Sequence, residues 1–435
     1  MLWSRTDFDW ELVIVAVLLA VIGADAFNIA PPVDLPYLNG VRLLLAVGLG
    51  ALALRRWQLR DFAPVWTPLD VPVALLLVAA LVSTAAGPFQ NTAAGGVRQL
   101  LQSLVVFYLV VNALLRPESL KMLLTAVILA GAALALWGAA QVLLGVDDAP
   151  YVDFAGNTTL IQGREVRRAV ASFPSSNVLG GYLAVVLPLA LAWLAQPGLS
   201  RLERAAAALA AAVLLLGILL TFARGAWLTA VLVLVGAAWL LAPRGRARWL
   251  VPAAVLVLAI LALAPFYSRL LDLFSTGERV TIWGNTLRIL ADERFLGVGL
   301  RNFPDVYLER YGDPRFNAHN LYLQIAVELG FLGLLAFLAA AGLWLLRVVR
   351  TAQAAADPGD RLLLLGLAGS VAALLVHGTV EAVWAWEPFA ELVWLLLGLG
   401  LAASLWAAPR DASGGEAAPD RERRPEVERA AGPSG

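Results

Sequence analysis

What most constrains this chain is a recurring run of apolar residues, each about as long as the twenty or so residues a helix needs to cross roughly 30 Å of hydrocarbon. Read in order, the runs fall at 11–29, 40–54, 70–86, 99–115, 121–144, 178–195, 204–222, 226–242, 249–266, 320–346, 362–380 and 386–408. They predict an all-α integral membrane protein of about twelve transmembrane helices. A mean hydropathy of +0.77 and only 15% charged residues exclude a soluble domain built around one core.

Arginine placement orients the runs, because cytoplasmic loops retain positive charge. Arg55, Arg56 and Arg60 follow span two, Arg116 and Lys121 span four, and Arg201 and Arg204 span six. Arg244, Arg246 and Arg248 follow span eight, and Arg347, Arg350 and Arg361 span ten. Every even-numbered exit is basic, while loops such as 28–40 and 87–96 carry almost no positive charge. Both termini are therefore expected inside, and the polar stretch 278–328 outside. Span one ends at Ala24-Asp25-Ala26, which resembles a small-residue cleavage site. Removing the span would put the other eleven out of phase with the arginines, so it is read as uncleaved. The reading gives one transmembrane domain over 1–408, with a large outer loop at 267–319, and a disordered cytoplasmic tail at 409–435, too polar to bury a core. The absence of cysteine excludes disulfides and thiolate metal sites. No basic stripe with interleaved aromatics points to nucleic acid.

Three outward segments carry unusual chemistry. The connection 145–177 holds Arg164, Arg167 and Arg168, against the charge rule; either a loop this long tolerates charge or it binds an anion. Arg224 is the only charge between Arg204 and Arg244. That length makes two spans, so Arg224 lies at their outer hairpin, as a functional cation or as an interfacial anchor beside Trp227. In the third segment, Trp283, Leu287 and Leu290 predict one amphipathic helix, and Phe303, Val306, Tyr307 and Tyr311 a second. Together they form a surface lid bracketed by Arg279 and His319. Below His319, Asn320, Gln324 and Glu328 make a polar stripe on one face of span ten, expected to meet protein or water. His377 and Glu381 stand one turn apart near the outer end of span eleven and are read first as a buried hydrogen-bonded couple.

Arginines converging at an outer face with a histidine suit a lipid-borne phosphate or pyrophosphate. Guanidinium stays charged and grips phosphate oxygens in bidentate fashion, and imidazole can take a proton from an incoming hydroxyl. A metal is not expected. The first outer loop offers only Asp34, and Asp147, Asp148 and Asp153 read better as flexible solvated acids than as ligands.

Together, Ser-Thr-Gly-Glu-Arg-Val-Thr-Ile-Trp (275–283), Gly-Val-Gly-Leu-Arg-Asn-Phe (297–303) and Ala-His-Asn-Leu-Tyr-Leu-Gln-Ile-Ala-Val-Glu-Leu-Gly-Phe-Leu-Gly (318–333) resemble the signature of the O-antigen ligase and polymerase superfamily. Thr-Phe-Ala-Arg-Gly-Ala-Trp (221–227) resembles that family's arginine hairpin, and 137–141 and 168–177 resemble further segments more weakly. The resemblance implies a GT-C-like, inverting glycosyltransferase without metal or other cofactor, placed in the bacterial inner membrane among its lipids. It further implies an undecaprenyl-diphosphate-linked glycan as donor and a site facing the periplasm. By position, Arg224 and Arg279 match the family's essential arginines and His319 its essential histidine. Arg98, Arg168, Trp283 and Asn320 stand beside them as substrate-binding candidates. Family members often carry an aspartate near the end of span eleven, where this chain has Glu381, so that role stays open. The ligase reading, with a lipid A core acceptor, comes first. The alternatives are a polymerase extending a lipid-linked repeat, a lipid-linked glycan transporter, and a non-catalytic envelope scaffold.

Overall fold

The computed structural model describes residues 9–27, 40–113, 115–146, 158–161, 164–243, 245–264, 277–293, 296–383 and 386–407. The Asp147/Asp148/Asp153 loop, Asp34 and the tail beyond 407 lie outside them. A helix coincides with each apolar run: α1 (Trp10–Phe27), α2 (Gly40–Leu59), α3 (Asp70–Ala86), α4 (Gln90–Ala113), α5 (Pro117–Leu143), α6 (Ser176–Leu194), α7 (Arg201–Leu220), α8 (Arg224–Leu241), α9 (Ala247–Leu263), then α12 (Leu321–Ala354), α13 (Pro358–His377) and α14 (Glu387–Ala407). Between α9 and α12 lie α10 (Gly277–Asp292) and α11 (Phe303–Tyr311). Among the described residues nine helices are long and apolar enough to cross a membrane; α3 and α9 are shorter, at 17 residues.

The helix starts follow from sequence. Ser200 and Glu203 form a capping box on α7, Asp357 caps α13 ahead of Pro358, and the Asn320 side chain accepts from the amides of Tyr322 and Leu323 to cap α12. The all-α expectation holds, with one short sheet beside the helices. Residues 158–161 and 164–167 form an antiparallel pair, β1 (Thr158–Ile161) and β2 (Arg164–Arg167), in the register Thr158 to Arg167 through Ile161 to Arg164. β-Branched residues occur in both strands, and Gln162-Gly163 between them is short enough for a hairpin.

Buried polar groups show which helix ends meet. Glu11, at the start of α1, accepts from Arg55 at the end of α2 (2.9 Å) and from the Arg116 amide (2.7 Å) and Ser119 hydroxyl (2.7 Å) at the start of α5. These basic exits therefore share one end of the bundle. Toward the opposite end, the Ser172 hydroxyl donates to the carbonyl of Ala26 (2.5 Å) near the end of α1.

The polar stripe on α12 holds backbone. At Gly330 the helix is interrupted (φ 70°, ψ −174°), which releases carbonyls a continuous helix would bond internally. Val327 and Glu328 offer theirs to the amides of Val298 (2.8 Å) and Gly299 (3.0 Å), so the Gly-Val-Gly segment docks on the broken helix. The Gln324 side chain accepts from the amide of Ala318 (2.7 Å) and donates to Glu328 (2.8 Å), whose carboxylate accepts from the amide of Arg301 (3.0 Å).

The segment 277–311 has a small core of its own. Ile282, Ile289, Val298, Phe303, Val306 and Tyr307 cluster with Ala318 and Val327. The buried face of α10 is Ile282, Thr286, Ile289 and Leu290, so the expected stripe is displaced: Leu290 is inside, Trp283 half-buried and Leu287 52% exposed. The three- and four-residue spacing fits either stripe. Only the position of α12 decides between them.

Gly297 and Gly299 both have positive φ, and a Cβ on Gly297 would fall 2.5 Å from the Gly330 nitrogen and 2.6 Å from the Glu328 carbonyl oxygen. Replacing Gly297 by Ala should cost about 1–3 kcal/mol through overpacking and left-handed strain and lower the thermal unfolding midpoint in detergent. G284A, where a Cβ meets nothing within 4 Å, should leave the midpoint unchanged or raise it.

Candidate functional site

The start of α12, the turn after α13, the loop before α6 and the α7–α8 hairpin meet around Glu381. Its position follows from how α13 ends. The chain turns at Gly378, whose carbonyl accepts from the amide of Leu321 (2.7 Å), and the Asn320 side chain donates to Thr379 (3.0 Å). These bonds bring the turn against the residue before the α12 cap, which is His319.

His319 Nδ1 lies 3.2 and 3.3 Å from the two Glu381 oxygens. Glu381 is 2% exposed, whereas the His319 side chain keeps 31% of its surface. Nδ1–H donating to the carboxylate fixes the imidazole and leaves Nε2 as the basic nitrogen. Asn177 donates to the second Glu381 oxygen (2.9 Å) and accepts from Arg168 (3.1 Å). The Arg168 Nε donates in turn to the Thr221 carbonyl (2.9 Å) on the hairpin that carries Arg224. A continuous chain of polar contacts thus runs from the hairpin through Arg168 and Asn177 to Glu381 and His319.

Burial alone would raise the Glu381 carboxyl. The positive fields of His319, His377 and Arg279 outweigh it and bring the group down to about 2. Arg279, near the start of α10, therefore acts on the same carboxylate. Trp283, one turn later, donates its indole N–H to the Ala318 carbonyl (3.0 Å), tying α10 to the residue before His319. Arg224 opens α8, whose cap residue Ala223 makes no side-chain hydrogen bond, and the positive dipole end there favours an anion. One of its guanidinium nitrogens is buried.

The backbone is strained at this face. Ala171, Phe222, Arg301 and His319 all have φ between 47° and 64° (49°, 49°, 64° and 47°). For residues with a Cβ that region is uncommon and persists only when the surroundings impose it. Here those surroundings are three site loops and the docked segment.

The sequence candidates separate by what holds them. His319 and Arg279 act on Glu381, Arg168 reaches it through Asn177, and Arg224 stands on the hairpin that Arg168 binds. Trp283 and Asn320 spend their polar atoms on backbone, Trp283 on Ala318 and Asn320 on the α12 cap and Thr379. Arg98 is exposed on α4, its guanidinium folded back near Gly95. The expected His377–Glu381 couple does not form. The Glu381 side chain turns to His319 and Asn177, while the His377 ring is wedged between Gly181 of α6 and Gly225 of α8, where a Cβ on Gly181 would fall 2.6 Å from Nε2. Asn177 was visible in the sequence only as the end of the 168–177 segment; nothing local marks it as the bridge.

Comparison with known proteins adds the following. Residues 209–338 match the family model described as O-antigen ligase, an interval that contains Arg224, Arg279 and His319 but not Arg168, Asn177 or Glu381. No curated protein matches the chain. A chain in a solved structure described as "Structural coordination of polymerization and crosslinking by a peptidoglycan synthase complex" is 20% identical, with 79% of this chain and 98% of that chain covered and a TM-score of 0.42. A likeness that distant carries no argument about this protein. Over residues 209–338 the chain is therefore similar to the O-antigen ligase family.

Proposed function

We propose that this protein is a glycosyltransferase of the O-antigen ligase type. In this reading twelve helices span the bacterial inner membrane, the Glu381 cluster faces the periplasm, and a glycan passes from undecaprenyl diphosphate to a lipid A core acceptor. The observation that carries it is the chain of contacts from the Arg224 hairpin through Arg168 and Asn177 to Glu381, the carboxylate that orients His319 and on which Arg279 also acts.

Each group has a task the chemistry requires. The donor pyrophosphate leaves with extra negative charge, and Arg224 and Arg279 stabilise it, with Arg168 beside them. Arg168 also holds the hairpin and Asn177 in register, so it couples the anion site to Glu381. His319 Nε2 takes the proton of the acceptor hydroxyl as that oxygen attacks the anomeric carbon from the face opposite the leaving group. The new C–O bond forms as the bond to pyrophosphate breaks, which inverts the anomeric centre. Glu381 holds the imidazole and stabilises the imidazolium that forms. No step calls on a metal. A polymerase would use the same groups with a lipid-linked repeat as acceptor.

With purified protein and a lipid-linked glycan, R279A should lose at least about 10²-fold in transfer rate and H319A about 10²- to 10⁴-fold, with membrane insertion intact. Normal transfer by either variant contradicts the mechanism. Offering lipid A core and a second lipid-linked repeat in parallel identifies the acceptor, and transfer persisting in a strong chelator is expected.

The Glu381 carboxylate also gives a stability signature. Its pKa is depressed in the folded protein to about 2, against about 4.3 for a free glutamate. Between those values the folded state binds fewer protons than the unfolded, so stability is present above the upper value and is lost as pH falls toward the lower one. The thermal stability advantage of wild type over E381Q should be full at pH 7 and shrink across that window. An advantage independent of pH there would show that the charge on Glu381 is not what the fold uses.

A further inference from the structure

The loop before α3 and the C-terminal parts of α12 and α14 enclose a groove of about 350 Å³. Hydrogen bonds place it at the basic end of the bundle. The Val65 amide on its wall donates to the Asn112 side chain (3.0 Å), and the Asn112 carbonyl accepts from the Arg56 guanidinium (2.9 Å). Leu405 lines the groove from α14, and the next residue, Trp406, donates to the Leu115 carbonyl (2.7 Å) beside Arg116. Leu343 of α12 and Leu401 of α14 add apolar surface, and Arg347 and Arg350 line the groove one and two turns beyond Leu343. No acid lines it among the described residues. Arg55, Arg56 and Arg116 at this end are matched by Glu11 and Asp61, whereas neither Arg347 nor Arg350 is in an ion pair among the described residues. Asp70, three residues after Thr67, spends its carboxylate on the Thr67 amide (2.7 Å) and hydroxyl (2.8 Å) and on the Tyr108 hydroxyl (3.0 Å).

We infer that this groove binds an anionic glycerophospholipid, its phosphate on Arg347 and Arg350 and an acyl chain against the leucines. The site is separate from glycan transfer and needs only that the bundle spans a membrane. Three observations select this occupant. The first is the cation pair: two guanidinium groups on one helix face, with no acid to neutralise them, suit phosphate oxygens. The second is what stands in line with them. A soluble phosphate leaves Leu343, Leu401 and Leu405 uncovered, whereas a lipid covers them with hydrocarbon. The third is depth. Trp66, which also lines the groove, is 82% exposed, as suits an indole at headgroup level, and the arginine pattern puts this end on the cytoplasmic side. Anionic headgroups at that surface are drawn to arginine, and the groove offers a choline or ethanolamine cation no acid to meet.

The test uses the full-length protein, stripped of lipid in a neutral detergent and titrated with dioleoylphosphatidylglycerol, dioleoylphosphatidylcholine or inorganic phosphate while binding is followed by native mass spectrometry. Phosphatidylglycerol should bind at least about tenfold more tightly than phosphatidylcholine, and a photoreactive phosphatidylglycerol should label peptides holding residues 65–68, 343–351 or 401–405. R347Q/R350Q should weaken phosphatidylglycerol binding at least about tenfold, whereas R201Q/R204Q, which removes an exposed basic pair at the start of α7, should leave it unchanged. Raising the ionic strength from about 0.05 to about 0.5 M should weaken binding to wild type, a readout that does not depend on how any variant folds. Equal affinity for the two lipids, salt-insensitive binding, or an equal loss in R201Q/R204Q overturns the assignment. Inorganic phosphate binding as tightly as phosphatidylglycerol would make the ligand a soluble anion instead. Labelling that appears only after residues 408–435 are removed would give the groove to the chain's own tail.

Discussion

The carbonyls of Val327 and Glu328 are where the segment 277–311 and the bundle become one structure. In an apolar surrounding an unpaired backbone carbonyl is costly, so a helix interrupted at Gly330 persists only if something else supplies the donors. The amides of Val298 and Gly299 do so. Glycine is required at 297 because the segment approaches within backbone contact of the break. That docking fixes the small core of α10 and α11 on α12. α10 in turn carries Arg279, and its Trp283 holds the carbonyl just before His319. Placement of two proposed active groups thus depends on a break in a helix ten or so residues below them.

The same economy appears in how His319 is held. The α12 cap residue Asn320 spends its carbonyl oxygen on two helix amides and its amide on Thr379, and the Leu321 amide binds Gly378. The turn after α13 therefore cannot move relative to the cap, and His319, between a fixed cap and the tethered Ala318, adopts a φ of 47°. Strain at that residue is maintained by contacts on both sides of it. Its product is an imidazole whose Nδ1 faces a carboxylate with a share of its surface still open, the arrangement a general base needs.

Much of this was legible in the sequence, and what was not has identifiable causes. Each apolar run overlaps a helix, and among the described residues nine of these helices are long and apolar enough to cross a membrane, because helix length in hydrocarbon is set by geometry. Rarity marked Arg224 and His319, since a charge or imidazole near apolar runs needs a reason. The stripe of Asn320, Gln324 and Glu328 reads as inward-facing, but spacing cannot reveal its partners: the Ala318 amide for Gln324, the Arg301 amide for Glu328, and the amides of Tyr322 and Leu323 with the Thr379 carbonyl for Asn320. His377 and Glu381 were misread for a related reason: a four-residue interval implies facing side chains only while the helix continues, and α13 ends at His377. The pairing of β1 with β2 lay within a connection judged by its charge, and neither four-residue strand alternates strictly enough to announce itself.

A second buried carboxylate shows what sets Glu381 apart, among the described acids of the bundle, as part of the proposed site. Glu11 is as deeply buried, and arginines surround it too. One Glu11 oxygen receives the Arg116 amide and the Ser119 hydroxyl, and the other receives Arg55 and lies 3.1 Å from the Arg116 Nε. Those donors come from the ends of α2 and the start of α5, and they close around the group. Such a carboxylate ties helix ends together and has no direction left in which to act. Glu381 instead takes donors from Asn177 and His319, and the histidine is 31% exposed. Its charge is relayed outward through a ring that solvent can reach. Burial and ion pairing are common to both acids. What separates a staple from a catalytic support is whether the last group in the hydrogen-bonded chain is closed by the protein or left facing out.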